Sequence, residues 1–147
     1  MFTSFANKNY QVQSTEYCES GKYPIIDQGK KTIIGYSDNE DKVCKKYPSV
    51  IFGDHTTEIK YVDFPFIIGA DGVKTLSVKD GDTLFQYYNL QVNNVQPTGY
   101  NRHFSMLKEI SLNVPTLAEQ QQIGTFFRNL DHLITLHQRK QKQKARR

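Results

Sequence analysis

Cysteine is scarce in this chain: Cys18 and Cys44 are the two among 147 residues, and they form no CxxC pair. Neither a thiolate metal site nor a disulfide framework is expected, and a reduced, cytoplasmic protein is the simplest reading. Long apolar runs are also missing, which excludes a helical membrane span. The amino terminus shows no basic stretch followed by an apolar one, so no signal peptide is expected. Gly29-Lys30-Lys31-Thr32 ends like a phosphate loop, but Pro24 stands where the upstream glycine is needed. The four histidines suggest no Ser-His-Asp or Cys-His pairing. Acidic residues are absent from two stretches. Residues 132–147 hold six Lys and Arg and no acid, a charge of +6. The other 131 residues hold 13 Lys and Arg against 15 Asp and Glu, a charge of −2. Any nucleic-acid face on the globular part must therefore be local. Between Asp82 and Glu109 there is again no acid, while Arg102, His103 and Lys108 lie inside.

Hydrophobic residues make up 37% of the chain and aromatics 12%, enough to build a core, so disorder is excluded. The pattern predicts an α+β fold with a mixed or antiparallel sheet and one short helix. Residues 1–22 are polar with scattered aromatics and yield no assignment. Strands are predicted at 23–27, 32–36, 49–53, 58–62, 64–68 and 73–78, with turns at 28–31, 54–57 and 69–72. Ser49-Val50-Ile51-Phe52-Gly53 is the clearest buried strand. Leu84, Tyr87, Tyr88 and Gln91 have helical spacing, and a last strand is predicted over 107–114.

After Pro115 the periodicity changes. Thr116 and Glu119 stand in the capping-box arrangement, and Ile123, Phe127, Leu130, Ile134 and His137 recur at alternating steps of four and three. Phe126 and Leu133 widen this apolar seam. Gly124 is its weak point, since an interior glycine costs about 1 kcal/mol relative to Ala. The predicted organisation is a globular domain over 1–114 and a long helix over 115–147.

Pro-x-Leu-x-Glu-Gln followed by Ile-x-x-Phe-Phe-x-x-Leu-Asp-x-x-Ile resembles the helical region of DNA-specificity subunits of type I restriction–modification systems. Pro115, Leu117, Glu119, Gln120, Ile123, Leu130, Asp131 and Ile134 carry the match. Gly21 to Asp27, the Val50–Gly53 strand with its polar turn, and Gly99 to Phe104 are similar to segments of the family's target recognition domain. The resemblance implies a half-length specificity subunit with a single recognition domain, itself non-catalytic, that reads one half of a bipartite target in double-stranded DNA. Its helix would pair with a second copy or another half-subunit through Leu117, Ile123, Phe126, Phe127, Leu130, Leu133, Ile134 and His137. Adenine methyltransferase subunits and a restriction subunit would dock on it. S-adenosylmethionine, ATP and Mg²⁺ would then belong to those partners, with no cofactor on this chain.

Residue chemistry nominates the DNA-contacting groups. Arg102 and Asn101 can pair with base edges or hold phosphate, with His103 and Tyr100 beside them. Lys30 and Lys31 on a turn can track a phosphate backbone. His55, Thr56 and Thr57 offer an imidazole and hydroxyls to base edges. Other readings stand beside these. Asp54, Glu58 and Lys60 resemble the carboxylates and lysine of a Mg²⁺-dependent nuclease. Asp63-Phe64-Pro65-Phe66 resembles an adenine-methyltransferase motif but lacks its first proline. A coiled-coil adaptor that binds no DNA would use the helix alone, and a helix too short to pair would leave an inactive fragment.

Overall fold

A computed structural model describes residues 2–99 and 101–147. In chain order the strands are β1 (Phe2–Phe5), β2 (Gln11–Val12), β3 (Tyr23–Ile26), β4 (Gly35–Ser37), β5 (Ser49–Gly53), β6 (Ile59–Val62), β7 (Ile67–Gly69) and β8 (Val73–Val78). The α-helices are α1 (Thr83–Val92), α2 (Phe104–Lys108) and α3 (Leu117–Ala145). One sheet has the order β1-β8-β5-β6 and is antiparallel throughout. The other, β2-β7-β3-β4, is mixed: β7 runs parallel to β2 and β3, and β4 antiparallel to β3.

β5 organises the layers, because it is buried along its whole length and alternates its side chains between two faces. Ile51 joins Val62 and Val73 against Ile26 and Ile68 of the second sheet. Val50 and Phe52 face the other way, with Leu76, toward Leu90 of α1 and Leu107 of α2. The result is sheet on sheet on helices. Val12, Ile25, Val43 and Ile67 form a further buried cluster on the second sheet. Among the described residues no helix is long and apolar enough to cross a membrane.

Three sequence expectations change. Residues 2–5 and 11–12, left unassigned, are edge strands of the two sheets. The strands expected at 32–36 and 64–68 begin later, at Gly35 and Ile67. The strand expected over 107–114 does not form. Leu107 belongs to α2, and residues 109–116 carry no ladder. Ile110 and Leu112 are half-buried against the Val50–Leu90 cluster, so their alternation reflects packing without strand pairing. Val114 is exposed.

α3 is a single helix of 29 residues, about 43 Å long at 1.5 Å per residue. The capping box closes as expected: Thr116 Oγ1 accepts from the Glu119 N–H, and the Glu119 carboxylate accepts from the Thr116 N–H at 3.0 Å. Its first half docks on α1 and β6 through a polar face. Gln120 Oε1 accepts from the Asp82 N–H at 3.0 Å, and Gln120 Nε2 donates to the Pro115 carbonyl. Tyr88 donates its hydroxyl to Asp131 at 2.7 Å, and the Arg128 guanidinium lies 5.6 Å from the Tyr61 ring centre. Burial pushes the Tyr88 phenol well up, and the Asp131 carboxylate adds to it.

Gly124, the apparent weak point, has a reason in this interface. A Cβ there would lie 3.0 Å from Asp82 Oδ2 and 3.1 Å from the Phe85 backbone nitrogen. Asp82 is the N-cap of α1 and cannot retreat without releasing the Phe85 N–H that it holds at 2.8 Å. Gly124→Ala should therefore lower the thermal midpoint despite the gain of about 1 kcal/mol in helix propensity. A raised midpoint in thermal melts would show that α1 and α3 separate freely.

Candidate nucleic-acid interface

At the ends of β3, β5 and β7 three loops meet, residues 27–32, 54–57 and 70–72, and the stretch 98–103 joins them. What holds them together is a small set of polar side chains, most of them absent from the predicted site. Gln28 bridges the first three. Its Oε1 accepts from the His55 N–H at 3.0 Å, its Nε2 donates to the Asp71 carbonyl at 3.1 Å, and its own carbonyl accepts from the Thr56 hydroxyl. Gly72 has a φ of +84°, and a Cβ at that position would run into the Gln28 amide. The crossing therefore needs glycine twice over, for backbone sign and for space.

Asp54 and His103 form the second tie. Asp54 is 3% exposed and His103 is fully buried. Asp54 Oδ1 accepts from the backbone N–H groups of His103 (2.9 Å) and Phe104 (2.8 Å). The imidazole Nε2 accepts from the Thr98 N–H at 3.0 Å, so Nδ1 carries the proton and donates to the Asp54 carbonyl at 2.9 Å. His103 was a candidate to touch DNA. The structure corrects this: its ring is enclosed, both nitrogens are engaged, and its role is to pin 98–104 to the β5–β6 turn.

Lys60 is the third tie. It is 8% exposed and donates to the carbonyls of Asp27 and Lys31, both at 2.7 Å, with Asp27 Oδ1 at 3.5 Å. Burial pulls its pKa down, and the Asp27 carboxylate opposes the shift. The nuclease reading fails on this geometry. Asp54 is turned toward His103 and Lys60 toward the 27–31 loop, so the two do not meet over a common site with Glu58. Among the described residues no three His, Cys, Asp or Glu side chains gather in a metal-binding group.

The remaining candidates divide by exposure. Lys30 and Lys31 are exposed on the loop that Lys60 holds from beneath. Asn101 and Arg102 are exposed, and His55 is half-buried with Nδ1 3.2 Å from the Asn101 carbonyl. Thr56 is exposed, but its hydroxyl also accepts from the Glu58 N–H while donating to Gln28. Thr57 is buried with a φ of +61°, and its carbonyl accepts from Asn94. The Thr56 hydroxyl is spent on the turn itself, and Thr57 is buried within it. Tyr100 lies outside the described residues.

A second candidate surface lies on α3. Phe126 and Leu133 are 62% and 61% exposed, and Leu130 and Ile134 are exposed beside them. Helical geometry sets this flank about a third of a turn away from the docked Gln120–Gly124–Arg128–Asp131 face. Phe127 sits at the border, its ring 5.4 Å from that of Tyr88, and Ile123 is half-buried there. His137 continues the flank. Leu117, seven residues before Gly124, falls on the docked side by helical phase but is itself exposed at the start of the helix.

Residues 1–146 match the sequence profile of the type I restriction modification DNA specificity domain. The chain belongs to that family. Over 81 residues it is 33% identical to the type I restriction enzyme EcoR124I/EcoR124II specificity subunit of Escherichia coli, covering 53% of this chain and 20% of that subunit. Its fold matches the crystal structure of the type I restriction–modification system S subunit from M. genitalium. The TM-score is 0.67 at 19% identity, covering 90% of this chain and 39% of the other. The chain thus spans well under half the length of either relative, as one specificity domain. The α+β architecture with a long terminal helix, expected from the sequence, is the fold of the matching part of that S subunit.

The polar ties and the exposed cations should separate in stability. His103→Ala removes a fully buried ring together with its bonds to the Asp54 carbonyl and the Thr98 N–H, and should cost about 2–4 kcal/mol. Arg102→Ala should change stability by less than about 0.5 kcal/mol. Urea unfolding of the two variants checks this, and equal losses would contradict the division.

Proposed function

We propose that this specificity domain reads one half of a bipartite site in double-stranded DNA and is not itself a catalyst. The observation that carries the reading is the family match over residues 1–146, joined to a loop end that exposes Lys30, Lys31, Asn101 and Arg102. Residues 1–114 act as the recognition unit and 115–147 as the pairing helix. Phosphate contacts from Lys30 and Lys31 set register on the duplex, and Arg102 and Asn101 contact base edges. Arg102→Ala should weaken binding and relax sequence preference; unchanged affinity and preference would remove it from the interface.

The open apolar flank of α3 pairs with the helix of a second specificity unit, either a copy of this chain or a different one. An exposed row of Phe126, Leu130, Leu133 and Ile134 is stabilised by such burial, at about 25 cal/mol per Å² of apolar surface. Adenine methyltransferase subunits, with their S-adenosylmethionine, and a restriction subunit using ATP and Mg²⁺ dock on the assembled pair. Phe126→Glu with Leu130→Glu spares the Tyr88 and Gly124 contacts, so it should give a folded monomer by sedimentation. A mass equal to that of the unsubstituted protein would refute helix pairing.

The decisive experiment maps adenine methylation in host DNA after co-expression with the cognate modification subunit. Two inverted identical half-sites would mean a symmetric pair of this chain, and unlike halves a mixed pair. Absence of any motif, with active methyltransferase and folded protein, would overturn the DNA-reading role and favour an adaptor.

A further inference from the structure

A cleft of about 660 Å³ opens beside the recognition loops. Three stretches line it: residues 4–8 with Gln11, residues 70–75, and Asp54–His55 with Arg102 and Phe104. Lys8, Lys74 and Arg102 bring three cations to it. Two acids line it as well: Asp54 is buried with Oδ1 on two backbone N–H groups, while Asp71, which accepts from Gln11 Nε2 at 3.1 Å, sets one exposed negative charge against the three cations. The solvent-facing balance of the cleft is positive.

Each cation stands next to an anchored residue. Asn7 donates Nδ2 to the Val73 carbonyl at 2.6 Å and accepts from the Thr75 hydroxyl at 3.0 Å, which fixes the backbone on which Lys8 follows. The same two bonds bracket Lys74 from either side. The Lys74 ammonium lies 5.4 Å from the centre of the Phe104 ring, and Asp54 holds Phe104 by its N–H. Arg102 immediately precedes the buried His103. Mobile surface lysines lose side-chain freedom when they bind an anion; for Lys74 the contact with the Phe104 ring removes part of that cost beforehand.

We propose that Lys8 and Lys74 make this cleft a phosphodiester-binding site that grips one DNA strand beside the base-reading Arg102. The inference rests on the DNA-reading role proposed above and adds the 6–8 segment and β8 to its contact surface. Fixed cations on a cleft position the backbone without regard to sequence, so this surface sets register and affinity while the loops set preference.

The test measures binding of the full chain to a mixed-sequence DNA duplex over a range of salt concentrations, by fluorescence anisotropy. Each neutralised phosphate contributes about 0.9 to the slope of log affinity against log salt, so Lys8→Gln with Lys74→Gln should make the slope shallower by about 2. Affinity at low salt should fall on the order of tenfold, and Lys8→Arg with Lys74→Arg should retain the original slope. If the original chain binds with steep salt dependence and the Gln pair keeps that slope, the cleft is not a phosphate site, though the DNA-reading role stands. A loss of affinity equal at every salt concentration, or an Arg pair as impaired as the Gln pair, overturns the cleft equally. If the original chain shows no duplex binding, both the role and the cleft fall.

Discussion

The loop end of this domain depends on one buried carboxylate. Asp54 sits at the end of the most deeply buried strand, and its Oδ1 satisfies the N–H groups of His103 and Phe104. Those two donors open a five-residue helix; the His103 N–H is shared with the Asp54 carbonyl, and the Phe104 N–H depends on the carboxylate. His103 returns the favour through its ring, and Phe104 then stands where its face meets Lys74. A stretch nearly 50 residues away in the chain is thereby fixed to the β5–β6 turn. Without this tie, Arg102 and Asn101 would hang on a loop with no defined relation to Lys30 and Lys31.

The polar scaffold also explains why buried charge is tolerable here. A lysine moved out of water is strongly penalised unless its N–H groups find oxygen partners. Lys60 meets two carbonyls and a nearby carboxylate, and its loop gains a floor. Gln28 performs the neutral version of the same task across three loops. Loops built this way are held by side chains rather than by ladders, so exposed positions between the ties can change without loosening them.

Much of the fold was legible in the sequence, and the failures have physical causes. β5 was legible because a fully buried strand is a short β-rich run between breakers, and α1 because helical spacing links Leu84, Tyr87, Tyr88 and Gln91. The cap of α3 was legible from Thr116 and Glu119 alone, since a capping box is a local device. The segment 107–114 was misread because alternating apolar residues record burial, and burial needs no strand partner. His103 was misread for the opposite reason: a histidine beside an arginine looks like a surface pair, and its partners Asp54 and Thr98 are set by tertiary structure. Gln28 and Lys60 left no local signal, because a polar residue that bridges loops reads like any solvated one. Gly124 was visible only as a defect in the seam, since its use is to admit the N-terminus of α1.

The two sides of α3 impose a condition of phase. Gln120, Gly124, Arg128 and Asp131 face the domain, while the apolar flank faces away. One residue inserted between Thr116 and Gln120 would turn the helix by about 100° and bring bulk where only Gly124 fits. Seven inserted residues would return it to within about 20° of its original setting, at the cost of two more turns. One residue inserted after Asp131 would leave the docking intact but rotate Leu133 and Ile134 out of line with Phe126 and Leu130. Length variation in this helix is therefore tolerated in near-whole turns, and the direction in which the loop end points relative to the open flank changes in steps.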